Sequence, residues 1–187
     1  EVDITSNYFN WAEVPPKPIH RWKLTDIYEE NAPDSMGGLS GVLNGDAQAT
    51  SDGVLFDGNG DYISVFEGGT SLLPFRTFTA WVWFNSIAGG AQTLFDAVQW
   101  GSNAVRIIKA NWGGQLRLQL SIKDVGGTDK MWHSNDQTTA FFQTWGHLAY
   151  TFGEDASGNI KYSLYVNGEL AEENTDSNNT LPDIDAS

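Results

Sequence analysis

Oxygen-bearing side chains recur at every second position from residue 57 to residue 61, a spacing that could hold a metal ion. Asp57, Asn59 and Asp61 are separated by single glycines, and calcium takes hard oxygen ligands of this kind from loops. The run does not fit an EF-hand, because Tyr62 stands where that loop needs glycine and Gly68 where it needs glutamate. Two interpretations stay open: a calcium site, or a simple turn between two strands.

Three of the eight tryptophans lie at or near predicted turns, where their rings could stack on the apolar faces of sugars. We expect a ligand site at one end of the fold, where residues 99–103 and 124–129 meet if the strands between them form a meander. The predicted ligand-binding residues are Trp100, Asn103, Trp112, Asp124 and Trp132. The alternative is that these tryptophans close the ends of the core. Trp22, Trp81 and Trp145 are assigned to the core more easily than these three.

The elements that must position these residues are strands. Apolar side chains alternate with polar ones from Gln115 to Ile122, which is the period of a strand with one buried face. Between residues 75 and 85, Phe78, Ala80 and Val82 share one face and Trp81 and Trp83 the other. Such a strand is either central and covered on both sides, or lines a binding surface.

Glycine-rich turns about every ten residues, with no helical period between them, predict an all-β, two-sheet antiparallel sandwich. Further strands are predicted at residues 20–24, 54–57, 61–65, 93–100, 104–110, 130–134, 146–152 and 161–166. The first eighteen residues include Pro15, Pro16 and Pro18 and predict an extended, proline-rich linker. The folded domain is therefore predicted to span residues 19–187.

Composition excludes several classes of function. Asp and Glu number 24 against 10 Lys and Arg, a formal charge of −14, which argues against nucleic acid and anionic membranes as partners. No apolar run approaches the ~20 residues of a membrane span. The absence of cysteine excludes disulfides and cysteine-based zinc sites. The sequon Asn178-Asn179-Thr180 favours an exported loop. A start at Glu1 without methionine fits a processed chain or an excised domain.

Five segments, in order along the chain, resemble the laminin-G-like branch of the concanavalin A-like lectin/glucanase superfamily. They are R-W-K-L at 21–24 with D-S-M-G-G at 34–38, V-L-F-D-G-N-G-D-Y-I at 54–63, F-T-A-W-V at 78–82, W-G-H-L-A-Y-T at 145–151 and L-Y-V-N-G at 164–168. The resemblance implies a jelly-roll sandwich and an extracellular binding role. It also implies a closing strand beyond residue 187. The chain is then truncated, completed by another chain, or paired differently at residues 19–24, and truncation is the interpretation we prefer.

The same resemblance implies particular residue roles. Many relatives hold calcium near the loop that corresponds to residues 34–38, so Asp34 is the first metal ligand it suggests. His147 is implied to be a structural ring packed inside the sandwich. Glucanases of this fold carry three carboxylates on one strand, whereas Glu1 and Asp3 stand without the third and before the predicted domain. We predict no catalytic residue.

The function predicted from sequence is therefore that of an extracellular recognition or adhesion module that binds glycan or a protein surface, with structural calcium. The alternative is a structural subunit of an extracellular filament or surface assembly, whose partners are copies of itself or neighbouring domains.

Overall fold

Segments in which apolar and polar side chains alternate between glycine-rich turns form most of the strands of the protein. The structure is a computed structural model. The described residues are 17–65, 76–97, 104–123 and 129–177, and they contain thirteen strands and one helical turn. The elements belong to two units, Glu1–Thr70 and Ser71–Ser187.

The first unit contains short strands linked by tight turns. β1 (Asn31–Ala32), β2 (Gly41–Asn44) and β5 (Tyr62–Ser64) form a three-stranded antiparallel sheet, and β3 (Gln48–Thr50) pairs with β4 (Gly53–Leu55). The strand predicted at residues 20–24 is wrong, because only Trp22 makes an isolated bridge, to Asp34. The backbone N–H of Arg21 is instead taken by the Asp34 carboxylate.

The second unit contains two four-stranded antiparallel sheets. Sheet A is a meander with the strand order β10-β9-β8-β7, made by β7 (Gln92–Ala97), β8 (Ala104–Trp112), β9 (Gln115–Lys123) and β10 (Asp129–His133). Sheet B has the order β13-β12-β11-β6, made by β6 (Thr77–Val82), β11 (Gly146–Glu154), β12 (Ile160–Val166) and β13 (Glu169–Asp176). The helical turn α1 (Thr138–Phe141) lies between β10 and β11.

One apolar core joins the inner faces of sheets A and B. Sheet A contributes Leu116, Leu118 and Leu120 among others, and sheet B contributes Leu148 and Tyr150 among others, all of them almost fully buried. Face-to-face packing of two alternating sheets is the architecture of a β-sandwich. The predicted fold class is therefore confirmed. The alternation of β9 is confirmed from Gln115 to Leu120, whereas Ser121 is buried although it lies on the polar face.

The sandwich core also contains one amine. Lys109 lies on the same side of β8 as Val105 and Ile107 and has no exposed surface. Its Nζ donates to the backbone carbonyl oxygens of Ala88 (3.2 Å) and Ile87 (3.5 Å). Among the described residues no carboxylate lies within ion-pair distance of Lys109, and burial lowers its pKa.

Replacing Lys109 with methionine should therefore keep or raise stability, because an apolar side chain of similar length removes a buried charge. The wild-type protein should become more stable as the pH rises towards about 10, since the folded state holds the Lys109 proton less tightly than the unfolded chain does. Urea unfolding at neutral and alkaline pH measures both effects. A Lys109→Met protein with the wild-type pH slope, or one that is strongly destabilised, would contradict this role.

Candidate functional site

The outer face of sheet B carries a set of exposed tryptophans. β6 and β11 pair so that Trp81 lies opposite His147 and Ala80 opposite Leu148. Leu148 belongs to the core and Ala80 packs against it, so the alternation of each strand turns the neighbouring Trp81 and His147 outwards. Extending the register by one pair places Trp83 opposite Trp145. We call Trp81, Trp83, Trp145 and His147 the tryptophan face.

The rings of this face are open to solvent but hold one another in place. Trp81 is 67% exposed, Trp83 42% and Trp145 45%. The Trp83 and Trp145 rings meet edge to face with centroids 6.0 Å apart, and the Trp81 ring lies 5.2 Å from His147. The indole N–H of Trp83 donates to Asn85 Oδ1 at 2.8 Å. The rings thus form a largely preformed apolar surface.

A groove of about 300 Å³ lies further along the outer face of sheet B. It is lined by Arg76, Thr77, Thr151, Phe152, Gly153, Glu154, Lys161 and Ser163. In the sheet, Thr151 pairs with both Thr77 and Ser163, and Gly153 pairs with Lys161. Hydroxyls, one carboxylate from Glu154 and two cations from Arg76 and Lys161 therefore line this part of the face.

Sheet A places Trp112 at one end of its longest hairpin. Trp112 pairs with Gln115 at one end of the β8–β9 hairpin, whereas Ala104, Lys123 and Asp129 lie together at the other end. The meander is confirmed, and it separates Trp112 from the strand ends that flank residues 98–103 and 124–128. The predicted Trp100, Asn103 and Asp124 lie outside the described residues.

Trp112 nevertheless has a polar surface of its own. Its ring is 48% exposed and lies 4.0 Å from the His133 ring, with the Arg117 guanidinium 5.8 Å from the Trp112 centroid. His133 Nε2 lies 2.7 Å from Gln119 Oε1. Burial and then the charge of Arg117 lower the pKa of His133, which favours the neutral form of this ring. Trp112 is therefore accessible, and binding there stays a prediction.

Trp132 faces the core. It pairs with Leu120 on β9, its ring centroid lies 4.8 Å from that of Tyr162, and it packs against the buried cluster. The structure thus favours the alternative interpretation for Trp132, in which the ring covers the sandwich core and offers little surface for a ligand.

Three carboxylates come together in the first unit. Oxygens of Asp46, Asp57 and Asp61 all lie within 4.8 Å of one another. Asp61 accepts hydrogen bonds from the backbone N–H groups of Asp46 (2.9 Å) and Asp57 (2.8 Å), and Asp57 Oδ1 accepts from the N–H of Asn59 at 2.6 Å. The predicted run from Asp57 to Asp61 therefore gains Asp46, which its spacing could not reveal.

The charges of this acidic cluster act on one another. A hydrogen bond with Asp61 and the negative charges of Asp61 and Asp57 raise the pKa of Asp46. The backbone N–H of Asp57, followed by contacts with Asp46, lowers the pKa of Asp61. Gly45 lies beside the cluster with φ 77°, and a Cβ there would approach Asp61 Oδ1 to 2.6 Å. Three mutually repelling carboxylates are a donor set that a hard cation would satisfy.

Asp34 has a different environment from that expected of a metal ligand. Its side chain is fully buried, and Oδ1 accepts from the backbone N–H groups of Arg21 and Met36 at 2.9 Å each. Oδ2 accepts from the N–H groups of Gly37 (3.0 Å) and Leu39 (3.1 Å) and lies 2.7 Å from His20 Nδ1. With five donors around two oxygens, Asp34 organises its own loop and does not fit the calcium that the resemblance implied.

The comparison with family models identifies the chain. A model described as the concanavalin A-like lectin/glucanases superfamily, of laminin-G type, matches residues 57–186. The chain belongs to this family. No curated protein and no solved structure matches it. The matched part of the laminin-G-like domain contains the whole of sheets A and B, and with them the tryptophan face and the groove.

One structural role implied by the resemblance is wrong for this laminin-G-like domain. His147 does not pack inside the sandwich, because Gly146 and Leu148 occupy the inner positions on either side of it. At Gly146 the Phe141 ring and the Ala140 carbonyl leave no room for a side chain, since a Cβ would approach both to 2.5 Å. The assignment of Trp81 and Trp145 to the core is also wrong, because both rings lie on the outer face of sheet B and are exposed to solvent.

Replacing Asp34 with alanine should destabilise the first unit by about 1–3 kcal/mol, because the donors that it satisfies lose their acceptor. Burial acts to raise the pKa of Asp34, but hydrogen bonds from Arg21, His20 and Met36 outweigh burial and hold that pKa well below its usual range. Its contribution is therefore present at neutral pH and lost as the pH falls below about 4.

Urea unfolding at neutral pH and at about pH 3 tests this account. The exposed Asp52, whose carboxylate accepts from Ser51 Oγ at 3.3 Å, provides the matched alanine control. Equal losses in the Asp34 and Asp52 variants at neutral pH would contradict a structural role for Asp34.

Proposed function

We propose that this laminin-G-like domain is an extracellular recognition module that binds a neutral glycan on its tryptophan face. The observation that carries the proposal is the exposure of three tryptophan rings side by side on one sheet surface. Exposed apolar patches of this kind mark interaction sites, and aromatic rings supply large contact areas with few rotatable bonds. Family membership supports a binding role, since such domains serve as carbohydrate- or protein-binding modules.

The charge of the surface favours a neutral ligand. The protein carries a formal charge of −14, yet the outward positions around the rings are held by Thr79, Ala149 and Tyr165, with Asn167 beside His147. A neutral glycan has apolar C–H faces for the rings and hydroxyls for the threonine, tyrosine and asparagine side chains. Among the described residues, these outward positions carry no Asp, Glu, Lys or Arg with which an acidic or basic partner could pair.

An extracellular location is part of the proposal and is supported by the family. Among the described residues, no helix has the length and hydrophobicity that crossing a membrane would require. The alternative function, assembly with copies of itself or with neighbouring domains, would use the same apolar rings as protein contacts. The high net charge opposes self-association of this kind.

Replacing Trp81 or Trp145 with alanine should weaken glycan binding about five- to thirtyfold, since truncating a central aromatic contact costs roughly 1–2 kcal/mol. Screening on an array of neutral and acidic glycans followed by calorimetry measures the effect. Trp112→Ala is the matched control, because this ring is exposed to a similar degree but belongs to sheet A.

Three outcomes would count against this function. If Trp112→Ala loses binding while Trp81→Ala keeps the wild-type affinity, the site belongs to sheet A. Silence across the whole array would reject glycan binding. Concentration-dependent oligomers that Trp81→Ala abolishes would support the assembly alternative instead.

We also propose that Asp46, Asp57 and Asp61 hold structural Ca²⁺ in the first unit. The mutual repulsion of the three carboxylates and their distances support a divalent cation there. Bound metal adds a stabilisation that depends on its concentration, so millimolar CaCl₂ should raise the unfolding temperature and Asp61→Asn should remove that rise. Asp52→Asn is the control. Equal responses of Asp61→Asn and the wild-type protein to CaCl₂ would reject the site.

A further inference from the structure

Beyond the aromatic rings, the outward side chains of β11 are small. Starting from the tryptophan face, the sequence of outward positions is Trp145, His147, Ala149, Thr151 and Gly153. The first and last of these positions are eight steps apart along the chain, or about 27 Å at ~3.4 Å per residue. The surface therefore runs without a bulky side chain on β11 from the rings to the groove.

Gly153 opens the groove at its far end. A Cβ at this position would meet no atom within 4 Å, and the φ of Gly153 is not in the positive range that favours glycine. Neither backbone conformation nor close packing therefore requires glycine here. Because Gly153 has no side chain, space is left on the outer face next to Lys161 on β12.

The groove offers both donors and acceptors. Lys161 Nζ lies 3.0 Å from Glu173 Oε1, and Ser163 Oγ donates to Glu173 Oε2 at 3.1 Å. Glu173 thus fixes Lys161 and Ser163 at the rim and balances the lysine charge. Together with the hydroxyls of Thr77 and Thr151, this lining suits a ligand whose hydroxyls both donate and accept.

We infer that the tryptophan face and the groove form one continuous binding surface for an extended neutral glycan chain that lies along β11. This inference rests on the proposed function and adds to it the orientation and minimum length of the ligand. Sugar units near one end stack on the tryptophan rings, while units further along the chain place their hydroxyls among Thr77, Thr151 and Ser163. The surface then distinguishes long chains from short ones.

A length series tests the inference. Neutral gluco-, xylo- and manno-oligosaccharides, each from disaccharide to hexasaccharide, are titrated by calorimetry into the wild-type protein and into Gly153→Leu. The wild-type affinity should rise about tenfold or more between the trisaccharide and the hexasaccharide of the series that binds. Gly153→Leu fills the groove, so it should keep the trisaccharide affinity and lose that rise, and the smaller Gly153→Ser should lose part of it.

Gly90→Leu is the matched control, because Gly90 also has open space around it and no positive φ. Its affinities should equal those of the wild-type protein, and circular dichroism checks that every variant is folded. A hexasaccharide no tighter than the trisaccharide, or a Gly153→Leu protein with the full rise, overturns the continuous surface and leaves the proposed function standing. If no series binds the wild-type protein at any length, the proposed function fails with it.

Discussion

The register between β6 and β11 decides which side chains of sheet B reach solvent. Ala80 lies opposite Leu148 in the core, so the neighbouring pair of Trp81 and His147 must face outwards. Because the side-chain period of a strand is two, a slip of one residue would bury the tryptophans and expose the leucine. Close packing of Phe141 against Gly146 adds a second constraint on this register. Every property that we ascribe to the tryptophan face depends on this pairing.

The same pairing gives the face its rigidity. Trp83 and Trp145 are held edge to face on neighbouring strands, and the hydrogen bond from the Trp83 indole to Asn85 fixes the orientation of the ring. A surface whose rings are ordered before the ligand arrives loses little entropy on binding. The polar groove and the apolar rings then act as two parts of one sheet surface, each suited to a different face of a polyhydroxylated ligand.

The sandwich itself could be predicted from sequence, because the leucines at 116, 118 and 120 leave no ambiguity about their buried face. The direction of the tryptophans could not. Between residues 80 and 83 both faces of the chain are apolar, so alternation there cannot say whether Ala80 or Trp81 is inside. The burial of Trp132 could not be predicted either, because it depends on packing against Tyr162 of the opposite sheet. Asp46 lies beside the predicted Asp57 and Asp61 because its backbone N–H donates to Asp61, fifteen residues away. The local spacing of the sequence cannot predict this contact.

The most direct test of the tryptophan face follows the indole N–H signals of the eight tryptophans by NMR while a neutral oligosaccharide is added. Single Trp→Phe variants assign the signals. We expect the resonances of Trp81, Trp83 and Trp145 to shift together with one binding curve, while those of Trp22, Trp112 and Trp132 stay in place. Saturable shifts confined to Trp112, with the sheet B tryptophans unmoved, would contradict the account.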